Sequence, residues 1–116
     1  MKNKNLLNLD QNILVAIVND LNNGKINEAL IALERLINEF PGHALLFNLR
    51  GACFESKSQY EKSIESFSKA VEINPNYAEA LYNLGVVQKK AGKIDDAIYS
   101  YQKTLDIDSN NANAHN

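Results

Sequence analysis

The fold is decided by residues 78–111, which read AEALYNLGVVQKKAGKIDDAIYSYQKTLDIDSNN. Apolar residues recur every three or four positions along residues 81–88 and again along residues 94–105. This spacing is typical of amphipathic helices. Between the two segments lies Gly92, and a glycine there can take the positive φ that ends a helix. The stretch therefore predicts two helices joined by a short turn.

The same pattern occurs three times, with no insertion or deletion. Pro41 and Pro75 lie 34 residues apart, and a shift of 34 positions also places Gly51 on Gly85. Further columns of related residues recur at this spacing: Ile26, Tyr60 and Ile94; Ala29, Ser63 and Ala97; Leu33, Phe67 and Tyr101; Ile37, Val71 and Leu105. An internal period of this length is the signature of a repeat architecture. The sequence predicts an extension at 1–9, then units at 10–43, 44–77 and 78–111, and the start of a truncated fourth unit at 112–116.

Each unit is expected to end at a helix-breaking segment. Proline lacks a backbone N–H and disfavours helix in the residue before it, so the second helices should end before Pro41 and Pro75. In the third unit Asp108-Ser109-Asn110 takes the corresponding place. The predicted helices are 10–22, 26–39, 44–56, 60–73, 78–90 and 94–107. One hairpin cannot cover its own apolar face, so the three units must stack.

Small residues indicate where the helices of a hairpin approach each other. Gly51 and Gly85 lie on first helices, and the large residues of the Leu33 column should fill the space between helices. Ile17 takes the glycine position in the first unit, so the first hairpin should pack less closely or shift. Arg50 replaces an apolar residue; we expect a buried stem with its head at solvent or a carboxylate, or alternatively an anchor for an acidic ligand.

These units resemble the tetratricopeptide repeat family. The third unit matches the family pattern through Leu81, Leu84-Gly85, Ala97 and Tyr101, with Ser109 in the usual proline place. The second matches it through Phe47, Gly51, Phe54, Phe67, Ala70 and Pro75, and the more divergent first unit keeps Gly24, Ala29, Leu33 and Pro41. The resemblance implies an all-α fold: a right-handed superhelical stack of antiparallel helix hairpins, or α-solenoid, with six main helices.

The resemblance also implies a binding surface, because first helices form the concave wall of such stacks. On this pattern the wall carries Leu14, Val18, Leu21, Leu45, Asn48, Ala52, Glu55, Glu79, Tyr82, Val86, Lys89 and Lys90. We expect a non-catalytic scaffold that binds an extended or helical segment of a partner protein there. The alternative is that the apolar part covers the chain's own N-terminal segment, with Leu6, Leu7 and Leu9.

Family members that bind chaperone tails hold the terminal carboxylates with Lys, Asn and Arg. The matching positions here are Leu14, Val18, Leu49, Glu79 and Asn83. Only the last of these side chains suits a carboxylate. The sequence therefore predicts no acidic chaperone-tail clamp.

Residues for catalysis do not converge in this sequence. His43 and His115 lie far apart in the chain, and Cys53 is expected to be a buried, inert thiol. Asp95 and Asp96 open a helix, where acidic side chains favour the positive end of the dipole. We expect no enzyme activity, no cofactor and no metal site.

Composition excludes other classes of function. A net charge of −2 argues against a nucleic-acid binder, and no stretch approaches the roughly 18 apolar residues of a membrane span. A single cysteine requires no oxidising compartment, so we expect a cytoplasmic protein.

Two other roles remain open at this stage. Similar repeats often precede transferase domains in bacteria, so the chain could be the N-terminal region of a larger bacterial enzyme that positions a substrate or dimerises. It could also be a structural homo-oligomer joined through apolar ends. The predicted helix 10–22 is apolar nearly all round, and the C-terminal end lacks a polar cap. Either end could therefore form a homodimer, or the piece continues in a longer protein; light scattering is expected to show a dimer or concentration-dependent association.

Overall fold

The computed structural model describes the backbone of residues 9–115 and the side chains of residues 9–109. Six α-helices follow one another: α1 (Gln11–Asn22), α2 (Ile26–Glu39), α3 (Ala44–Ser56), α4 (Tyr60–Ile73), α5 (Ala78–Lys90) and α6 (Ile94–His115). The described residues contain no strand. Each helix packs on the next along the chain, so three hairpins stack in order. The predicted all-α repeat stack is confirmed, and five of the six helices lie within one residue of their predicted bounds.

Tight turns join the two helices of each hairpin. Gly24 and Gly92 have φ of +82°, and Ser58 takes the same place with φ of +59°. The N–H of Lys25 donates to the carbonyl of Asp20 over 2.7 Å, and equivalent bonds close the other two turns. This is the Schellman arrangement, in which a left-handed residue ends the helix and satisfies its last carbonyls.

The predicted end of α6 is wrong. The sequence places it at residue 107, but the helix continues to His115. Ser109 keeps the backbone N–H that Pro75 lacks and has no ring to clash with the preceding turn, so the helical hydrogen bonds are not interrupted. The backbone of residues 112–115 is therefore the last turn of α6, and their assignment to a fourth unit stays a prediction.

The close approaches lie where the glycines predict them. A Cβ added at Gly51 would lie 2.6 Å from the ring of Phe67, and one added at Gly85 would lie 2.7 Å from the ring of Tyr101. The buried hydroxyl of Ser63 donates to the carbonyl of Gly51 over 2.8 Å. In the first unit Ile17 is buried instead, and the backbones of α1 and α2 come close at fewer points than those of the other two hairpins. The looser first hairpin is confirmed.

Arg50 has the structural role that was expected. Its Nε donates to Ser66 Oγ over 3.0 Å, its Nη1 lies 3.4 Å from a carboxylate oxygen of Glu34, and its guanidinium sits over the ring of Phe47. The side chain therefore ties α3 to both neighbouring second helices.

Candidate functional site

The predicted concave wall is divided between α1, α3 and α5. We call the surface that these three helices form the groove. Two side-chain contacts join α3 to α5 across it. Asn83 Nδ2 donates to Asn48 Oδ1 over 3.2 Å, and Lys90 Nζ lies 2.8 Å from Glu55 Oε2. The structure thus brings together three of the predicted site residues, and it adds Asn83.

The polar half of the groove is internally satisfied. Asn48 is buried and also hydrogen-bonds the hydroxyl of Tyr77. Burial raises the pKa of Tyr77, the nearby charge of Glu79 raises it further, and the bond to Asn48 opposes the rise. The hydrogen bond from Lys90 to Glu55, with its charge, raises the pKa of Lys90. The contacts of Asn83 with Asn48 and of Lys90 with Glu55 join neighbouring units, and each of these side chains already has a partner within the protein.

The apolar half of the groove contains an open depression of about 240 Å³. We call it the apolar pocket; it is lined by Gln11, Leu14, Val15, Val18, Asn19 and Leu45. Leu14 is buried at its base, whereas Val18 is 36% exposed and Val15 57%. Sequence reasoning had placed Leu14, Val18 and Leu45 on this surface but missed Val15 and Asn19. Their only signal was that each directly follows a predicted wall residue on α1, Val15 after Leu14 and Asn19 after Val18.

The remaining predicted residues are spread along the groove. Leu21 is half-buried against the core, and Ala52 and Val86 are also half-buried. Glu79 and Lys89 are exposed. Tyr82 is 53% exposed, and its ring centroid lies 5.9 Å from that of Tyr101.

The N-terminal segment enters the described part of the chain only at Leu9. That side chain is buried in the same core cluster as Leu14. Leu6 and Leu7 lie outside the described residues. Self-coverage of the groove therefore stays a prediction.

Titratable groups give no converging set in the described residues. Cys53 is fully buried, and burial raises the pKa of its thiol to about 11, against a lowering influence of Lys57. Partial burial lowers the pKa of His43. Among the described side chains, no group of three or more His, Cys, Asp or Glu could hold a metal ion. None of the helices in the described range is long and apolar enough to cross a membrane.

The structure gives the surroundings of the five positions that the sequence aligns with a carboxylate clamp. Leu14 is buried and Leu49 half-buried within the apolar core, while Val18 lines the apolar pocket. Glu79 is an exposed acid, and Asn83 is bonded to Asn48.

Comparison with known families identifies the repeats. A family model described as "TPR repeat" matches residues 52–92, and models described as "Tetratricopeptide repeat" match residues 78–111 and 15–43. The matched segments fall in all three predicted units.

Curated relatives match this chain over short parts of their own length. Anaphase-promoting complex subunit 3 of Schizosaccharomyces pombe is 34% identical over 86 residues, which is 74% of this chain and 13% of that protein. Heat shock protein STI1 of Saccharomyces cerevisiae is 31% identical over 75 residues, or 65% of this chain and 13% of that protein. A probable UDP-N-acetylglucosamine–peptide N-acetylglucosaminyltransferase SPINDLY of Petunia hybrida is 31% identical over 84 residues, or 72% of this chain and 9% of that protein. These relatives are eukaryotic and give no support to a bacterial source.

Solved structures share the fold. The second TPR of Spaghetti (RPAP3) bound to the HSP90 peptide SRMEEVD superposes with a TM-score of 0.79 at 20% identity, covering 83% of this chain and 89% of that one. MamA from Desulfovibrio magneticus RS-1 superposes with a TM-score of 0.81 at 22% identity, covering 90% of this chain and 59% of that one.

Proposed function

The chain belongs to the tetratricopeptide repeat family, and from that premise we propose that it is a non-catalytic protein-interaction scaffold. Its groove binds a segment of a partner protein by shape and apolar contact. Relatives whose names denote parts of larger assemblies, such as anaphase-promoting complex subunit 3, support this class of role. Binding needs no converging catalytic groups. The cytoplasm is the compartment we propose for it, because nothing in its cysteine content requires oxidation.

The apolar pocket carries the proposal. Its volume of about 240 Å³ lies open at the end of the groove where Val15 and Val18 expose their side chains. In the polar half, by contrast, Asn48, Asn83, Glu55 and Lys90 already bind one another. A partner therefore gains most by inserting an apolar side chain at the N-terminal end of the groove, since apolar anchors in pockets dominate binding energy. The polar half then excludes water and orients the segment.

Acidic C-terminal tails are not the partners that this groove suits. A solved neighbour holds the HSP90 peptide SRMEEVD, but its 20% identity to this chain carries the fold alone. The apolar pocket would meet carboxylates with Leu14 and Val18, and burying a charge there without a partner is costly. Titration of the protein with SRMEEVD by calorimetry should show no saturable binding. Saturation at micromolar peptide would refute this part of the proposal.

The test uses peptides selected on the protein from a random display library. Val18→Glu should weaken binding of the selected peptides by about tenfold or more, because it puts a charge into the apolar pocket. Ile31→Glu is the matched control, since Ile31 is 69% exposed on α2 and does not line the pocket. Fluorescence polarisation measures both variants. Equal affinity for the two variants would show that peptides bind elsewhere.

A second candidate is supported by the match to SPINDLY. The chain corresponds to 9% of that enzyme's length, so it could serve as the repeat region of a larger transferase. Sequencing the native reading frame beyond codon 116 discriminates the two roles. A catalytic domain in frame would favour the second candidate, and a stop codon would favour the first.

A further inference from the structure

A second surface, outside the apolar pocket, lies at the C-terminal end of the stack. In the first two units, the side of the hairpin that faces the next unit is covered by that unit's first helix. The third unit presents the corresponding side without a covering helix in the described part of the chain. We call it the terminal face, and it comprises Tyr82, Lys89, Ile94, Ile98, Tyr101 and Leu105.

Burial at equivalent positions identifies this surface as an unfilled interface. Ile94, Ile98 and Leu105 are 51%, 59% and 59% exposed. The residues at the same three positions in the first two units are buried or half-buried: Ile26, Leu30 and Ile37, then Tyr60, Ile64 and Val71. Tyr82 is 53% exposed, whereas its equivalents Leu14 and Asn48 are buried. The terminal face thus keeps the apolar residues of a helix-binding surface.

The packing of α5 on the second unit shows which residues a helix uses to dock on such a surface. Leu84 and Val87 of α5 pack with Phe67 in one cluster. Two ionic contacts fix the helix at its C-terminal end. Lys90 pairs with Glu55 at 2.8 Å, and Lys93, just beyond the helix, lies 3.8 Å from Glu61.

At the terminal face, one of the two acidic residues that pair with lysines at α5 is replaced by a basic residue. Lys89 stands at the position of Glu55, and Asp95 stands at the position of Glu61. A helix docked as α5 is docked would therefore need an acidic residue where α5 has Lys90, and would keep a basic residue where the chain has Lys93. The apolar positions would stay apolar, since Tyr101 takes the place of Phe67.

A second copy of this chain does not meet that requirement through α1. The positions of α3 and α5 that are fully buried against the preceding unit include Leu46 and Cys53, and Ala80 and Val87. In α1 these positions hold Asn12 and Asn19, both exposed. Docking α1 on the terminal face would bury two amides against apolar residues, which is unfavourable without hydrogen-bond partners.

We propose that the terminal face binds an amphipathic helix of a partner protein. That helix lies antiparallel to α6, as α5 lies against α4. It places an apolar stripe on Ile98, Tyr101 and Leu105, an acidic side chain at Lys89 and a basic one at Asp95. This interface shares no residue with the apolar pocket, although Tyr82 and Lys89 also belong to the far end of the groove.

The chain itself supplies the probe. A capped peptide with the sequence of residues 78–93 and the change Lys90→Glu, AEALYNLGVVQKEAGK, carries the required stripe and charges. Calorimetry and amide chemical-shift mapping on the 116-residue protein measure its binding. The peptide should bind about threefold more tightly than its unmodified form, which sets Lys90 against Lys89. Shifts should centre on α6.

Variants of the protein separate this site from alternatives. Lys89→Glu should reverse the preference between the two peptides. Ile98→Glu should weaken binding of the modified peptide by about tenfold, because it places a charge in the apolar stripe. Ile31→Glu, at an exposed site on α2, should leave binding unchanged.

Four results would overturn the proposal. They are no measurable binding of either peptide, shifts centred on the apolar pocket, a dimer in sedimentation that Ile98→Glu dissociates, and a longer native form whose own next helix covers Ile98. The third would make a second copy the occupant. Failure here would leave the groove proposal intact, because that test depends on Val18.

Discussion

Gly51 and Phe67 are in contact so close that no other residue fits at the glycine position. The ring atoms Cδ1 and Cε1 of Phe67 would lie 2.6 Å from an added Cβ. Real Cβ atoms do not approach that near, so the ring or the helix would have to move. The same relationship recurs between Gly85 and Tyr101 one unit later. The helix spacing within the second and third hairpins is therefore set by a glycine against an aromatic ring.

Gly51→Ala should destabilise the protein by about 1–3 kcal/mol, the usual cost of overpacking a filled core. Gly42→Ala is the control, because Gly42 has open space around its Cα and no positive φ. Its free energy of unfolding should stay within about 0.5 kcal/mol of the parent protein. Urea denaturation followed by circular dichroism measures both variants. Similar midpoints for the two would show that the ring of Phe67 moves at little cost.

Ser58→Gly should stabilise the protein. Ser58 holds φ of +59° in a turn where the other two units have glycine at +82°. A left-handed conformation is unfavourable for a side chain with Cβ, and its relief should exceed the entropic cost of glycine by about 0.5–1 kcal/mol. Gly92→Ala is the converse variant and should destabilise by a similar amount. A lower urea midpoint for Ser58→Gly would mean that the serine side chain contributes a contact worth more than the strain.

The ion pair between Glu55 and Lys90 should couple the second and third units. A double-mutant cycle with Glu55→Gln and Lys90→Gln should give a coupling energy of about 0.2–1 kcal/mol, since both side chains are partly exposed. Raising the salt concentration to about 1 M should reduce it, because screening shortens the range of the interaction. The cycle is measured by urea denaturation at two salt concentrations. A coupling energy that does not change with salt would point to the hydrogen bond rather than the charges.

Helix positions could be predicted from the sequence because the apolar periodicity and the 34-residue register agree at every unit. The end of α6 could not, since Ser109 occupies a proline position without proline's covalent restriction. The alignment of the 34-residue units alone does not predict whether such a substitution ends a helix. The helical hydrogen bonds decide it.

The groove was predicted as a surface but not in its chemistry. Asn48 was expected to face a partner, yet it is buried between Asn83 and Tyr77. Asn83 lies in the next unit and Tyr77 at the far end of the same unit, so the helical pattern around Asn48 does not reveal either partner. Val15 was missed because its equivalents Leu49 and Asn83 pack between units. Only the absence of a preceding unit in the described structure leaves Val15 beside the apolar pocket.

His43 should make stability depend on pH near neutrality. Burial lowers its pKa below the ordinary value of 6.5, so the unfolded chain binds a proton more readily than the folded one. The contribution of His43 to the free energy of unfolding is then fully present above pH 6.5. It is lost as the pH falls from 6.5 through the lowered pKa. The urea concentration at the midpoint of unfolding should decrease as the pH is lowered from 7.5 to 6.5 and 5.5. The variant His43→Gln should show a smaller decrease. His115 is present in both proteins, so its contribution cancels in the comparison. An equal decrease in the two proteins would assign the pH dependence to other groups.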